Sequence, residues 1–323
     1  MFLKAIYYMI KPLIPRSTQL AIRRFIIKFK LNKVKNIWPI NEISSKQPVN
    51  WPGWPEGKDF AFILTHDVET SIGLDRCQAL AEIDKSYGFK SSFNIVPYKY
   101  PISPSILSWL KIEGFEVGVH DYNHDGKLYR SKLLFDERAK MINQCLKEWN
   151  VNGFRSAAMH HNLEWISDLN ILYDSSTFDT DPFEPQPDPI DTIFPFCYKQ
   201  KNSNRCYVEV PYTLPQDFTL FVIMRERDCS VWERKLKWIS EKKGMATVIV
   251  HPDYINFDSN KPNGVDEYSI NLYVNFLEHI RNVYKDRYWN PLPNELATYI
   301  KQIESRNQYH KKSAFNQAQA LST

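Results

Sequence analysis

The stretch Phe60-Ala61-Phe62-Ile63-Leu64-Thr65-His66-Asp67-Val68-Glu69 decides the fold. Five unbroken apolar residues read as a strand buried on both faces, the pattern of a parallel sheet covered by helices. The run ends in a polar stretch carrying two carboxylates, and reactive side chains in such sheets gather where strands end. Two later segments repeat the arrangement. Residues 115–119 run into His120-Asp121-Tyr122-Asn123-His124, and residues 246–250 run into His251-Pro252-Asp253.

Outward from these strands, the sequence alternates. Residues 91–96 and 207–210 read as further extended segments, and 74–87, 103–113, 133–149, 166–172, 231–243, 265–284 and 292–303 as helices. Strand–helix alternation predicts an α/β chain with a mostly parallel sheet inside its helices. With roughly seven such units, a closed or partly open (β/α) barrel is favoured over a doubly wound sheet. The Pro-rich run 181–195 is too irregular for an element and is expected to form a wall or lid over the barrel mouth.

The 323 residues hold only ten Gly against 20 Pro, with no GxGxxG or P-loop pattern, so glycine-cradled nucleotides are not indicated. Five scattered Cys without CxxC spacing give neither a disulfide framework nor a thiolate zinc site. The net charge of +4 is unevenly spread: residues 1–35 carry nine Lys or Arg and no acid, which leaves 32 basic against 37 acidic residues in the rest. A nucleic-acid partner is therefore not expected. Residues 1–35 read as a basic amphipathic helical arm, suited either to peripheral contact with an anionic membrane or to packing on the domain. Residues 36–57, rich in Pro and Trp, read as a linker, 58–303 as the catalytic domain and 304–323 as a disordered polar tail. No apolar run approaches the ~18 residues of a spanning helix. Residues 5–10 are too short for the ~7–15-residue core of an export signal. A cytoplasmic protein, peripheral at most at the inner membrane face, is the expectation.

Asp67 and Glu69 are two apart, so on an extended chain both carboxylates point the same way. Two buried like charges need a compensating cation. His120 and His124 are four apart, a spacing that puts both imidazoles on one face of a helical turn and suits a divalent metal. Two His and one carboxylate make the three-ligand site with an open position that catalytic zinc uses. The second carboxylate is then free to act as base. Glu69 is assigned to the metal and Asp67 to the base, although geometry alone permits the reverse. His66 points to the opposite strand face and is read as a core residue.

The order strand–DxE, strand–HxxxH, Gly-Phe-Arg, strand–His resembles the polysaccharide deacetylase family (NodB homology, carbohydrate esterase family 4) over about residues 58–255. The resemblance implies a distorted (β/α) barrel that removes the N-acetyl group of a sugar with one divalent metal. Asp67 falls on the family's base, and Val68 stands where its metal-binding Asp would be, so the ligand role passes to Glu69. His120 and His124 match both metal-binding His, with Asp121 in place of a hydroxyl residue. Arg155 matches the Arg that holds the base, with Ala157 in place of Pro, and His251 matches the general acid. The motif with an Asp before a Trp, which orients that acid, has no clear counterpart; Asp174, Asp179 and Asp181 are the candidates. The resemblance also implies an oxyanion donor at the backbone N–H of Tyr122 or Asn123. Tyr122, Asn123, His160 and Glu209 are read as substrate-cleft residues, Zn2+ as the metal, with Co2+ or Ni2+ as substitutes, and an N-acylated sugar or glycan as the partner. The competing readings are a non-hydrolytic carbohydrate-binding or assembly protein on the same fold, and a deformylase of a lipid-linked amino sugar.

Overall fold

In the computed structural model, which describes residues 14–201, 205–258 and 260–320, the apolar run at residue 60 becomes β1 (Phe60–Val68), buried throughout. The strands that follow are β2 (Ser91–Ile95), β3 (Glu116–His120), β4 (Gly153–Arg155), β5 (Tyr173–Asp174), β6 (Phe196–Lys199), β7 (Cys206–Glu209) and β8 (Met245–Val250). A separate small pair is formed by β9 (Ile255–Asn256) and β10 (Tyr268–Ser269), and β11 (Tyr288–Trp289) comes last. The main sheet runs β8, β1, β2, β3, β4, β5, β7, β6, with β11 beside the first residues of β1. Only β6 runs antiparallel to its neighbour in this sheet, among the described residues. Beyond β7 the chain reaches β8: the N–H groups of Thr213 and Leu214 donate to the carbonyl of Thr247 at 3.1 and 3.0 Å. The expected distorted, incomplete (β/α) barrel is what forms.

Around it lie α1 (Arg16–Val34), α2 (Ser71–Ser86), α3 (Pro104–Ile112), α4 (Lys132–Trp149), the single turn α5 (Leu163–Ile166), α6 (Ser230–Lys242), α7 (Ile270–Val283) and α8 (Pro293–Ala320). Side-chain oxygens of Thr70, Ser103, Ser131 and Ser269 cap the starts of α2, α3, α4 and α7 by accepting a backbone N–H. The apolar core fills the layer between sheet and helices, with Phe62, Trp232 and Phe276 in one aromatic cluster. Alternation along β1 sorts its polar residues. His66 faces outward and meets Asp84 of α2 at 2.7 Å, and the same carboxylate accepts from Ser91 and from Tyr273 of α7. Asp67 faces the barrel interior.

Several expectations need correction. His120 ends β3 while His124 lies in an irregular loop, where Asp121 and His124 both adopt left-handed φ of 60°. No helical turn joins them; two residues in a conformation that costs most side chains energy fold the loop back instead. The helix expected over 166–172 is the turn α5, ending at Ile166. The polar tail from 304 continues α8 to Ala320, because Lys, Gln, Glu, Arg and Ala propagate a helix as long as Gly and Pro are absent. Residues 321–323 lie outside the described residues, as do 1–13 of the basic arm. Residues 36–57, read as a Pro/Trp-rich linker, lie against the domain: Trp54 is buried, its indole N–H donates to the Lys243 carbonyl at 2.9 Å, and its ring meets Trp51 at 4.7 Å. Burying indole area outweighs the ordering cost that the prolines have already lowered. Among the described residues no helix is long and apolar enough to cross a membrane.

Candidate active site

Strand register builds the first half of the site. Asp67 lies opposite Asn94 across β1 and β2, and His120 opposite Arg155 across β3 and β4. Oδ1 of Asp67 accepts from Arg155 Nη1 at 2.7 Å and from Asn94 Nδ2 at 2.9 Å. Asn94 lies across Gly118, where a side chain would overlap its amide. Arg155 is fully buried and anchored on three further sides: Nη1 also reaches Thr65 Oγ1, Nε the carbonyl of Ser175 and Nη2 its hydroxyl. The buried carboxylate therefore has its cation. Burial alone would raise the pKa of Asp67, but Arg155, then His120 and His251, hold it well below the usual range.

His120 donates from Nδ1 to the Arg155 carbonyl at 3.0 Å, which fixes the tautomer and leaves the Nε2 lone pair facing the cavity. Nε2 of His124 is buried and has no hydrogen-bond partner, although Glu69 Oε1 is 3.0 Å away. Donor atoms of Glu69, His120 and His124 all lie within 4.8 Å of one another. An orphaned imidazole nitrogen beside a carboxylate and a second oriented imidazole is a donor set that fits a divalent metal. Asp67 Oδ2 stands 3.8 Å from His120 Nε2.

Glu69 is held from two sides. Tyr254 donates its hydroxyl to Oε2 at 2.5 Å, and the Glu69 N–H donates to Asp253 at 2.9 Å. Asp253 also accepts from Thr70 and rests on Gly73 in the first turn of α2, where a methyl group would overlap its carboxylate.

His251, at the end of β8, forms the second half. Its Nδ1 is 2.6 Å from Asp217 Oδ1, and its own backbone N–H donates to Asp217 Oδ2 at 2.7 Å. Tyr268 donates a third hydrogen bond to that carboxylate at 2.8 Å. Nε2 of His251 is 3.9 Å from Glu69 Oε1. Burial would lower the pKa of His251, yet the Asp217 charge and hydrogen bond, reinforced by Glu69 and Asp67, push it up to about 10.

Asp217 is thus the partner of His251, and none of the three sequence candidates is. Asp174 accepts from Ser176, Asp179 pairs with Lys235 at 2.6 Å, and Asp181 accepts from the Phe183 N–H. Asp217 opens a π-helical segment, Phe218–Met224, so the signal was an Asp followed by an aromatic other than Trp. Asn94 had a signal too: Ser92 and Asn94 alternate as polar residues inside a buried strand. Of the cleft residues, Tyr122 is half-buried against Tyr98, and its N–H is taken by Asp121 Oδ1. Asn123 caps its own loop by accepting from the Asp125 N–H, and His160 is half-buried with its pKa lowered by burial. Glu209 is correctable: it is wholly buried beside Asp174, accepts from Thr177, and offers no surface to a substrate.

The barrel has the fold of solved structures assigned as polysaccharide deacetylases. A Mycobacterium smegmatis protein assigned as a polysaccharide deacetylase aligns over 80% of this chain and 96% of its own, with a TM-score of 0.61 and 16% identity. A second so assigned, from Pseudomonas aeruginosa PAO1, aligns over 81% and 97%, with 0.58 and 15%. The PuuE allantoinase shares the fold over 81% and 96%, at 0.59 and 13%. No family model matches the sequence, and no curated protein does. At these identities the likeness establishes the fold, while an allantoinase among the neighbours leaves the substrate to be argued from the site.

Proposed function

We propose that the protein is a metal-dependent hydrolase that removes the acetyl or another N-acyl group from a sugar in glycan or surface-polysaccharide metabolism. One observation carries the reading: Glu69, His120 and His124 converge within 4.8 Å, with Asp67 3.8 Å from one of them and His251 3.9 Å from another. Two imidazoles and a carboxylate with a position to spare suit Zn2+, and Co2+ or Ni2+ fit the same donors. A bound ion would polarise the acyl carbonyl and acidify water beside it.

The chain's own residues supply the proton movements. Asp67, kept ionised by Arg155, accepts a proton from the attacking water. With the Tyr122 N–H engaged by Asp121, the oxyanion donor of this reading is the Asn123 N–H, which stabilises the carbonyl oxygen as negative charge develops there. His251, protonated at neutral pH through Asp217, donates from Nε2 to the departing nitrogen, which is too basic to leave as an anion. The products are a carboxylate and a free amino sugar.

The test is acetate release from a panel of N-acetylated nucleotide sugars, lipid-linked glycans and oligosaccharides, with metal content measured on the wild type and on His124→Ala. The wild type should carry about one divalent ion per chain and His124→Ala markedly less, as expected for loss of one of three ligands. A purified wild-type chain that takes up no divalent ion under any condition sinks the reading.

A further inference from the structure

Helix α1 has two apolar faces, and the domain uses only one. Leu20 is fully buried and Ile27 packs on the core. On the same side Arg24 donates to the Val222 carbonyl at 3.0 Å, Arg16 pairs with Asp266 at 2.9 Å, and the guanidiniums of Arg16 and Arg23 lie 5.6 and 5.0 Å over the Phe218 ring. Opposite them, Ile22, Phe25, Ile26 and Phe29 are 38, 64, 56 and 57% exposed. Their i, i+3, i+4, i+7 spacing makes one continuous stripe. Lys28 and Lys33 border it, and no acidic residue occurs anywhere in residues 1–35.

We infer that this outer face docks on an anionic lipid bilayer, the aromatic and aliphatic stripe entering the headgroup boundary while the flanking cations meet lipid phosphates. An apolar stripe edged by cations is the composition of an interfacial helix. A second copy of the chain would fit the same face poorly, because it would set two wholly basic helices against each other.

The inner face shows what the docking is for. Phe218, beneath Arg16 and Arg23, packs on Tyr254 with ring centroids 4.6 Å apart, and Tyr254 holds Glu69. Asp217, which orients His251, is the residue before Phe218. The helix is therefore mounted on the wall of the site, and docking it brings that wall to the bilayer. Resting on the hydrolase reading, this selects an N-acyl sugar carried on a lipid as the substrate class. Because the inner face is part of that wall, deleting the arm would disturb both functions; the outer face has to be changed alone.

The full chain and the triple variant Phe25→Ser, Ile26→Ser, Phe29→Ser are co-sedimented with phosphatidylglycerol and phosphatidylcholine vesicles, and both are sized in solution by light scattering. The wild type should pellet with the anionic vesicles and not with the neutral ones. The variant should bind at least about tenfold more weakly, since losing even one buried apolar side chain is worth that factor. Three outcomes overturn the inference: no binding to anionic vesicles, equal binding by the variant, or a wild-type dimer that the variant turns into a monomer. Acetate release separates the two readings. Vesicle binding without release from any acyl sugar keeps the surface and removes the hydrolase; release without vesicle binding does the reverse.

Discussion

The two halves of the site treat their titratable groups in opposite ways. On the β1 side, Arg155 holds Asp67 far below the ordinary carboxylate range; on the β8 side, Asp217 pushes His251 up to about 10. One group is thereby kept charged as a proton acceptor and the other charged as a proton donor, at the same pH. Environments that drive two neighbouring pKa values apart are how a single cavity can perform both acid and base chemistry. The halves also differ in construction. Asp67 and Arg155 are placed by the register of adjacent strands, whereas Asp217 depends on the irregular chain between β7 and α6.

The hardest blow to this division is Asp67→Asn, which removes the acceptor but leaves the metal donors. Turnover should fall by about 10²–10⁴-fold with metal content unchanged; a variant that loses metal instead would make Asp67 a ligand and reverse its assignment with Glu69. Next comes Arg155→Gln, which strips a buried carboxylate of its cation. Stability measured by urea unfolding should drop by about 3–5 kcal/mol. The sign of the pH effect follows from Asp67: its lowered pKa rises when Arg155 is gone, so the acid limb of kcat/KM moves to higher pH. The mildest change is Asp217→Asn. His251 loses the largest upward contribution to its pKa, and activity that depends on the protonated form is lost as pH rises through that value. The alkaline limb should therefore move to lower pH, with turnover near neutrality reduced about tenfold, less than the ~10²–10⁴-fold of losing a general acid outright, because His251 itself remains. An unmoved limb would mean that His251 is not the donor.

Legibility in the sequence divides along the same line. Asp67, His120 and His251 each follow an apolar run that reads as a buried strand, so their placement at strand ends is legible directly, whereas Arg155, at the end of the three-residue β4, is legible only through the family resemblance. The spacing of His120 and His124 pointed to convergence, but the conformation behind it, two left-handed residues, leaves no periodic mark. Asp217 was out of reach because a π-helical segment has no hydrophobic period of its own, and because Phe218 replaces the aromatic that was sought. Strands of two to four residues, β4 to β7, are shorter than the window in which alternation can be told from chance, although the extended run at 207–210 was visible. Polar composition after residue 304 suits a disordered tail and an exposed helix equally, and α8 takes the second course.

Gly73 has no functional group, yet the carboxylate of Asp253 rests where its side chain would be, and Asp253 in turn steadies the backbone of Glu69. In a saturation library selected for activity, this position should look as intransigent as His120. A map of intolerance would then outline the scaffolding of the cavity together with its reactants, and only the chemical nature of each residue could separate the two.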